Sequence, residues 1–132
     1  MRCANILGVL AIASLCSAAT APPSGFEFKW KGVCSDRYTQ RDDKLTLKRG
    51  RDGIVQARIS ITSYCLSGDY TPDVKYLIDQ VQLRVERDCE EIAVDLACRD
   101  ELTFRLKNEI TRGTPILFGV DSREPHLRAV TP

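Results

Sequence analysis

The chain is short of the groups on which most catalysis depends. It has a single histidine, His126, six residues from the end and just after Pro125. A nucleophile–base site needs its base held by a third group on a rigid frame. A histidine in a polar tail reads instead as an exposed tail residue. The ligand-binding spacings are missing as well. Gly50 and Gly53 bracket Arg51-Asp52, but no Gly-Lys-Ser/Thr follows, so the segment reads as a turn and not as a phosphate cradle. Asp69 and Asp73 flank a loop without the D-x-[DN]-x-[DN]-G calcium pattern. No strand–helix–strand alternation supports a dinucleotide site. No cofactor or metal is expected.

Other absences narrow the class further. Asn108 is followed by Glu109 and Ile110, so the mature domain offers no N-glycosylation sequon. There is no internal repeat or low-complexity tract, and no second apolar run follows the first one, so no later segment is long enough to span a bilayer. Nineteen Lys/Arg stand against eighteen Asp/Glu. That balance lacks the domain-wide basic excess of a nucleic-acid binder, and no nucleic-acid partner is expected.

What is present begins with an export signal. Residues 1–21 read MRCANILGVLAIASLCSAATA: Arg2 and the free amine, an apolar run from Ile6 to Leu15, then small residues. Charge, apolar helix and small-residue site in that order describe a secretory signal peptide. Ala19-Thr20-Ala21 fits the cleavage rule, but Pro22 would then follow the scissile bond and hinder the peptidase. Ser17-Ala18-Ala19 fits without that obstacle, so the signal is placed at residues 1–19, with cleavage up to residue 21 as the alternative. Removing nineteen of 132 residues leaves 113, one secreted domain over residues 20–132. The expected location is extracellular, or periplasmic if the source is bacterial.

Of six cysteines, Cys3 and Cys16 leave with the signal and Cys34, Cys65, Cys89 and Cys98 remain. An even number in a small exported domain reads as two disulfides. A four-thiolate zinc site wants ligand pairs two to four residues apart, and the closest pair here has eight residues between. Three pairings are open. Cys34–Cys65 with Cys89–Cys98 closes the shortest loops, which favours it on chain entropy.

Period-two patterning then dominates. Phe26, Phe28 and Trp30 alternate with Glu27, Lys29 and Lys31; Leu45 and Leu47 alternate with Thr46 and Lys48; Ile54–Tyr64 resumes after the hairpin signal at Gly50 and Asp52-Gly53. Three more runs follow: Val81/Leu83/Val85, Ile92/Val94/Leu96/Cys98 and Leu102/Phe104/Leu106, with Asp88–Glu91 and Arg99–Glu101 read as the breaks between them. Thr71-Pro72-Asp73 has the form of a helix start, so a short helix is expected near residues 72–78. One long helix in this stretch is the alternative reading. Ile116–Val120 is a last strand before a polar tail from Asp121. About seven strands in a hundred residues make a small antiparallel β-sandwich or barrel, disulfide-stabilised.

Two features are candidate surfaces. Lys48, Arg49 and Arg51, with Lys44 and Arg58 nearby, would present cations at a hairpin tip to an acidic glycan, a lipid headgroup or a protein, unless the run is simply a solvated turn. The triplet Phe26, Phe28 and Trp30 could stack on a ligand, but three large apolar side chains on one strand face are what a sandwich interior needs. The acid pairs Asp42-Asp43, Glu90-Glu91 and Asp100-Glu101 read as solvated turns. Charge is uneven along the chain. Residues 20–66 hold nine Lys/Arg and five Asp/Glu, a net of +4; residues 67–132 hold nine and thirteen, a net of −4. Pairing of the two halves across the fold is the expected consequence.

The function expected from these features is recognition outside the cell and not catalysis: an inhibitor, effector or adhesion-type module whose partner is an extracellular protein or an anionic glycan. The alternatives are a small hydrolase using carboxylates and a carrier with an apolar cavity behind Phe26, Phe28 and Trp30.

Overall fold

The computed structural model describes residues 25–36, 43–121 and 123–132. The segment read as an export signal, residues 1–19 with Cys3 and Cys16, lies outside the described residues. Among the described residues ten strands run in chain order: β1 Phe26–Ser35, β2 Lys44–Arg49, β3 Val55–Ser63, β4 Cys65–Ser67, β5 Tyr70–Tyr76, β6 Val81–Arg87, β7 Glu91–Ile92, β8 Ala97–Leu106, β9 Pro115–Val120 and β10 Leu127–Val130. They form two four-stranded sheets, β1-β8-β3-β2 and β10-β9-β6-β5, and a two-stranded ribbon of β4 and β7. The architecture is a disulfide-stabilised sandwich. Pairing is antiparallel except between β6 and β9, which are parallel because the chain crosses to the first sheet as β8 between them.

The alternation that specifies these strands also makes the core. Val55, Ala57 and Ile59 of β3 and Leu102, Phe104 and Leu106 of β8 face Val81, Leu83 and Val85 of β6 and Ile116 and Phe118 of β9; none is more than 3% exposed. Phe26 and Phe28 of the edge strand β1 pack on the Phe104 ring at 5.9 and 4.9 Å. Both are partly buried against the core, as their alternation predicts. At one side Arg49 donates to the carbonyls of Ile110 (2.7 Å) and Pro132 (3.1 Å), tying β2 to the chain end beside β10. At the other, the Tyr76 hydroxyl donates to the Gly25 carbonyl at 2.6 Å.

Four expectations are corrected. No helix forms near residues 72–78: that segment is β5, with Tyr70, Pro72, Val74 and Tyr76 turned inward. Pro72 is tolerated because β5 is an edge strand bonded only to β6. The run Ile92/Val94/Leu96/Cys98 is not one strand. Ile92 and Val94 are 70% and 90% exposed while Ala93 is buried, because β7 is drawn across the end of the sandwich onto β4 and the Ala93 amide donates to the Tyr64 carbonyl. Arg99–Glu101 is no break; it lies inside β8. The tail from Asp121 is not free. It forms β10, and His126 donates its amide to the Phe118 carbonyl at 3.0 Å.

The disulfides are present but paired otherwise than the shortest-loop rule favours: Cys34–Cys98 and Cys65–Cys89, which leaves no thiolate for a zinc site. Cys34 and Cys98 stand directly opposite in the β1–β8 ladder. Strand register, not loop length, decides that pair. Such bridges form and persist in an oxidising compartment.

Candidate functional site

The outward face of the β1-β8-β3-β2 sheet is built from the residues that alternate with the core. Register sets them in rows across the strands. One row is Lys29, Thr103, Arg58 and Thr46; beside it lie Glu27, Arg105, Gln56 and Lys48 on one side, and Lys31, Glu101, Ser60 and Lys44 on the other. None of these twelve side chains is apolar. A shallow trough of about 470 Å³ runs over the face, bordered by Lys29, Lys31, Lys44, Arg58, Thr46 and Thr103.

Ion pairing does not neutralise this face. Two of the first half's five acids are taken up by second-half cations: Glu27 pairs with Arg105 (3.4 Å) and Lys107 (3.4 Å), and Asp52 with Arg105 (3.0 Å). Lys31 meets Glu101 at 3.8 Å. Lys29, Lys44, Lys48 and Arg58 are exposed and have no hydrogen-bond or ion-pair partner among the described residues. Neighbouring strands lie about 4.8 Å apart, so Lys29 and Arg58, two strands from each other, are held roughly 10 Å apart. At that distance two cations repel by about 0.4 kcal/mol in water, before salt screening. The repulsion is small enough for the fold to tolerate and is relieved by an anionic partner. The outer face of the other sheet mixes signs, with Asp73, Glu86, Lys75 and Arg128; each sheet has an exposed valine near the end of an edge strand, Val33 of β1 and Val130 of β10.

The hairpin-tip candidates divide. The β2–β3 turn forms as expected, closed by Gly50 and Ile54 at 2.9 Å. Lys48 joins the basic face and Arg51 is exposed in the turn. Arg49 points the other way and donates to three carbonyls, of Gly53, Ile110 and Pro132, so it is a structural tether. The sequence sets Lys44 and Arg58 near the hairpin run and Lys29 beside the aromatic triplet, in two separate features. Their alternation with apolar residues marks them as outward, but only the register of β1, β8, β3 and β2 makes them neighbours.

A second polar centre lies inside one end of the sandwich. Arg87, 9% exposed at its side chain, pairs with Asp100 at 3.1 Å and sits 4.7 Å from the Trp30 ring centre and 4.2 Å from that of Tyr70. The Tyr70 hydroxyl donates to the same carboxylate at 2.5 Å. Burial, and then this hydrogen bond, push the Tyr70 hydroxyl well above its ordinary range. The Trp30 indole N–H donates to Asp69 at 2.8 Å and holds that carboxyl below its ordinary value. Asp100 is therefore buried and committed, not a solvated turn acid, while Glu101 faces the opposite side of β8. The two cannot face each other across a cleft as a glycosidase pair would. A cleft of about 360 Å³ beside Arg87 and Tyr70 is crossed by His126, 3.0 Å from Asp43. Among the described residues no cluster of three or more His, Cys, Asp or Glu could hold a metal ion, and no helix is long and apolar enough to cross a membrane. Comparison with protein-family models, with curated proteins and with solved structures found no match to this chain.

Proposed function

We propose that this protein is an exported binding module that recognises an anionic partner outside the cell through the outer face of the β1-β8-β3-β2 sheet. The observation that carries the reading is the set Lys29, Lys44, Lys48 and Arg58, four cations on one rigid face without carboxylate partners among the described residues. Strand pairing fixes their positions, so little ordering is needed on binding. The export signal read at residues 1–19 and the two disulfides support action in an oxidising extracellular or periplasmic space.

Retention on immobilised dextran sulfate tests the reading. The wild-type protein is expected to bind and to elute with added salt, since exposed charge is screened within about 8 Å at physiological ionic strength. The double variant K29E/R58E is expected to lose about tenfold or more in affinity without unfolding. The charge-matched variant K75E/R128E, on the outer face of the other sheet, is expected to bind nearly as the wild type does. Equal losses in the two variants would mean that net charge and not this face governs binding.

A further inference from the structure

We infer that the occupant of this face is an anionic polysaccharide whose chain runs across the strands; the inference rests on the reading above that the face is the recognition surface. Its basis is the central row. From β1 to β2 it reads Lys29, Thr103, Arg58, Thr46, so cation and hydroxyl alternate at the spacing of the strands. The charges are spread along a line and do not converge on one point, which suits anionic groups repeated along a chain better than one phosphate. The hydroxyls between them, with Ser60 and Gln56 in the flanking rows, donate and accept hydrogen bonds as sugar hydroxyls do.

Other polyanions fit less well. The core of a protein–protein interface is apolar and aromatic, and this face has no apolar side chain in its three rows. Stable peripheral attachment to a bilayer takes buried apolar groups in addition to charge, and beside the three rows only Val33, an isolated valine near the end of β1, is an exposed large apolar side chain among the described strand residues of this sheet. Single-stranded nucleic acid is held by stacking on aromatic faces. Trp30 borders the trough, but its ring is engaged edge-on with Tyr70 at 4.8 Å, lies beside Arg87 and donates its N–H to Asp69.

The test compares five probes against the mature, oxidised protein: a heparin-derived oligosaccharide, polygalacturonate, polyglutamate, duplex DNA, and vesicles of phosphatidylserine and phosphatidylcholine. Either glycan is expected to bind most tightly, and K29E/R58E to bind it about tenfold or more weakly. The variant T46V/T103V keeps shape and charge but removes the two hydroxyls of the row. It is expected to lose about fivefold for the glycan and nothing for polyglutamate. Thermal melting of both variants checks that the domain remains folded. If DNA, vesicles or polyglutamate bind through the same cations at least as well as the glycans, or if T46V/T103V binds the glycan normally, the polysaccharide assignment is overturned and the basic face survives. If no probe binds, or K29E/R58E binds as the wild type does, both readings fall together.

Discussion

Arg87 carries the largest local consequence of any single side chain. Its charge is desolvated between two aromatic faces and one carboxylate, and its Nε has no hydrogen-bond partner among the described residues. A buried ion pair gains little over a well-packed apolar pair, yet removal of one partner leaves an uncompensated charge. Asp100→Ala is therefore expected to lower stability by about 3–5 kcal/mol in a urea titration. The double variant R87M/D100L is expected to be less destabilised than the sum of R87M and D100L, because it removes the stranded charge along with its partner. Strictly additive losses would show that the pair is not coupled. Gly32 completes the arrangement: a Cβ there would lie 2.3 Å from the Asp100 carboxylate, so only glycine leaves room for it. Little of this centre is legible in the sequence. Asp100 sits next to Glu101 among charged residues and looks like a turn. Its partners, Arg87 and Tyr70, come from the opposed sheet, and local patterning cannot announce them.

Among elements, those with unbroken alternation were legible. The first six residues of β1, the β2–β3 hairpin with its Asp52-Gly53 turn, β6, the latter half of β8 and β9 follow directly from period two; Gly32, which reads as the end of the first strand, instead lies inside β1. The failures share a cause: local signals there were overridden by tertiary contacts. Thr71-Pro72-Asp73 would cap a helix, but Val74 and Tyr76 bury more as an edge strand against β6. Segment 88–96 alternates like a strand, but the Cys65–Cys89 bridge and the β4–β7 ribbon take it across the end of the sandwich. Gly68 is the tightest point of that crossing. Its φ is +120°, and a Cβ would meet the Asp88 carbonyl oxygen at 1.6 Å. Gly113 also has a left-handed φ, +90°, but open space around it. Gly113→Ala is thus expected to cost about 1–2 kcal/mol of backbone strain. Gly68→Ala must also displace backbone and is expected to lower the urea midpoint several times more. Equal midpoints would show that the crossing is looser than these distances require.

For the whole molecule, two features depend on pairing between distant strands. The first is the disulfide pattern. On chain entropy alone the Cys34–Cys98 bridge, 64 residues apart, is the less favoured closure. The ladder brings the two residues face to face regardless, and the longer loop then restricts the unfolded chain more. The second is the basic face. The surplus of cations in residues 20–66 predicts pairing between the halves, and that pairing forms: Arg105 and Lys107 take the acids Glu27 and Asp52, and Lys31 meets Glu101. It does not use every cation: Lys29, Lys44, Lys48 and Arg58 have no partner among the described residues. Of the tip first considered, only Lys48 joins them on that face.

The most direct measurement is amide chemical-shift mapping of the isotope-labelled mature protein during titration with a short sulfated oligosaccharide. The account predicts salt-sensitive shifts concentrated at Lys29, Arg58, Thr103, Lys44, Thr46 and Lys48, with the β10-β9-β6-β5 face left almost unmoved. Shifts centred instead on that second face, or on the exposed Ile92 and Val94 segment, would contradict it.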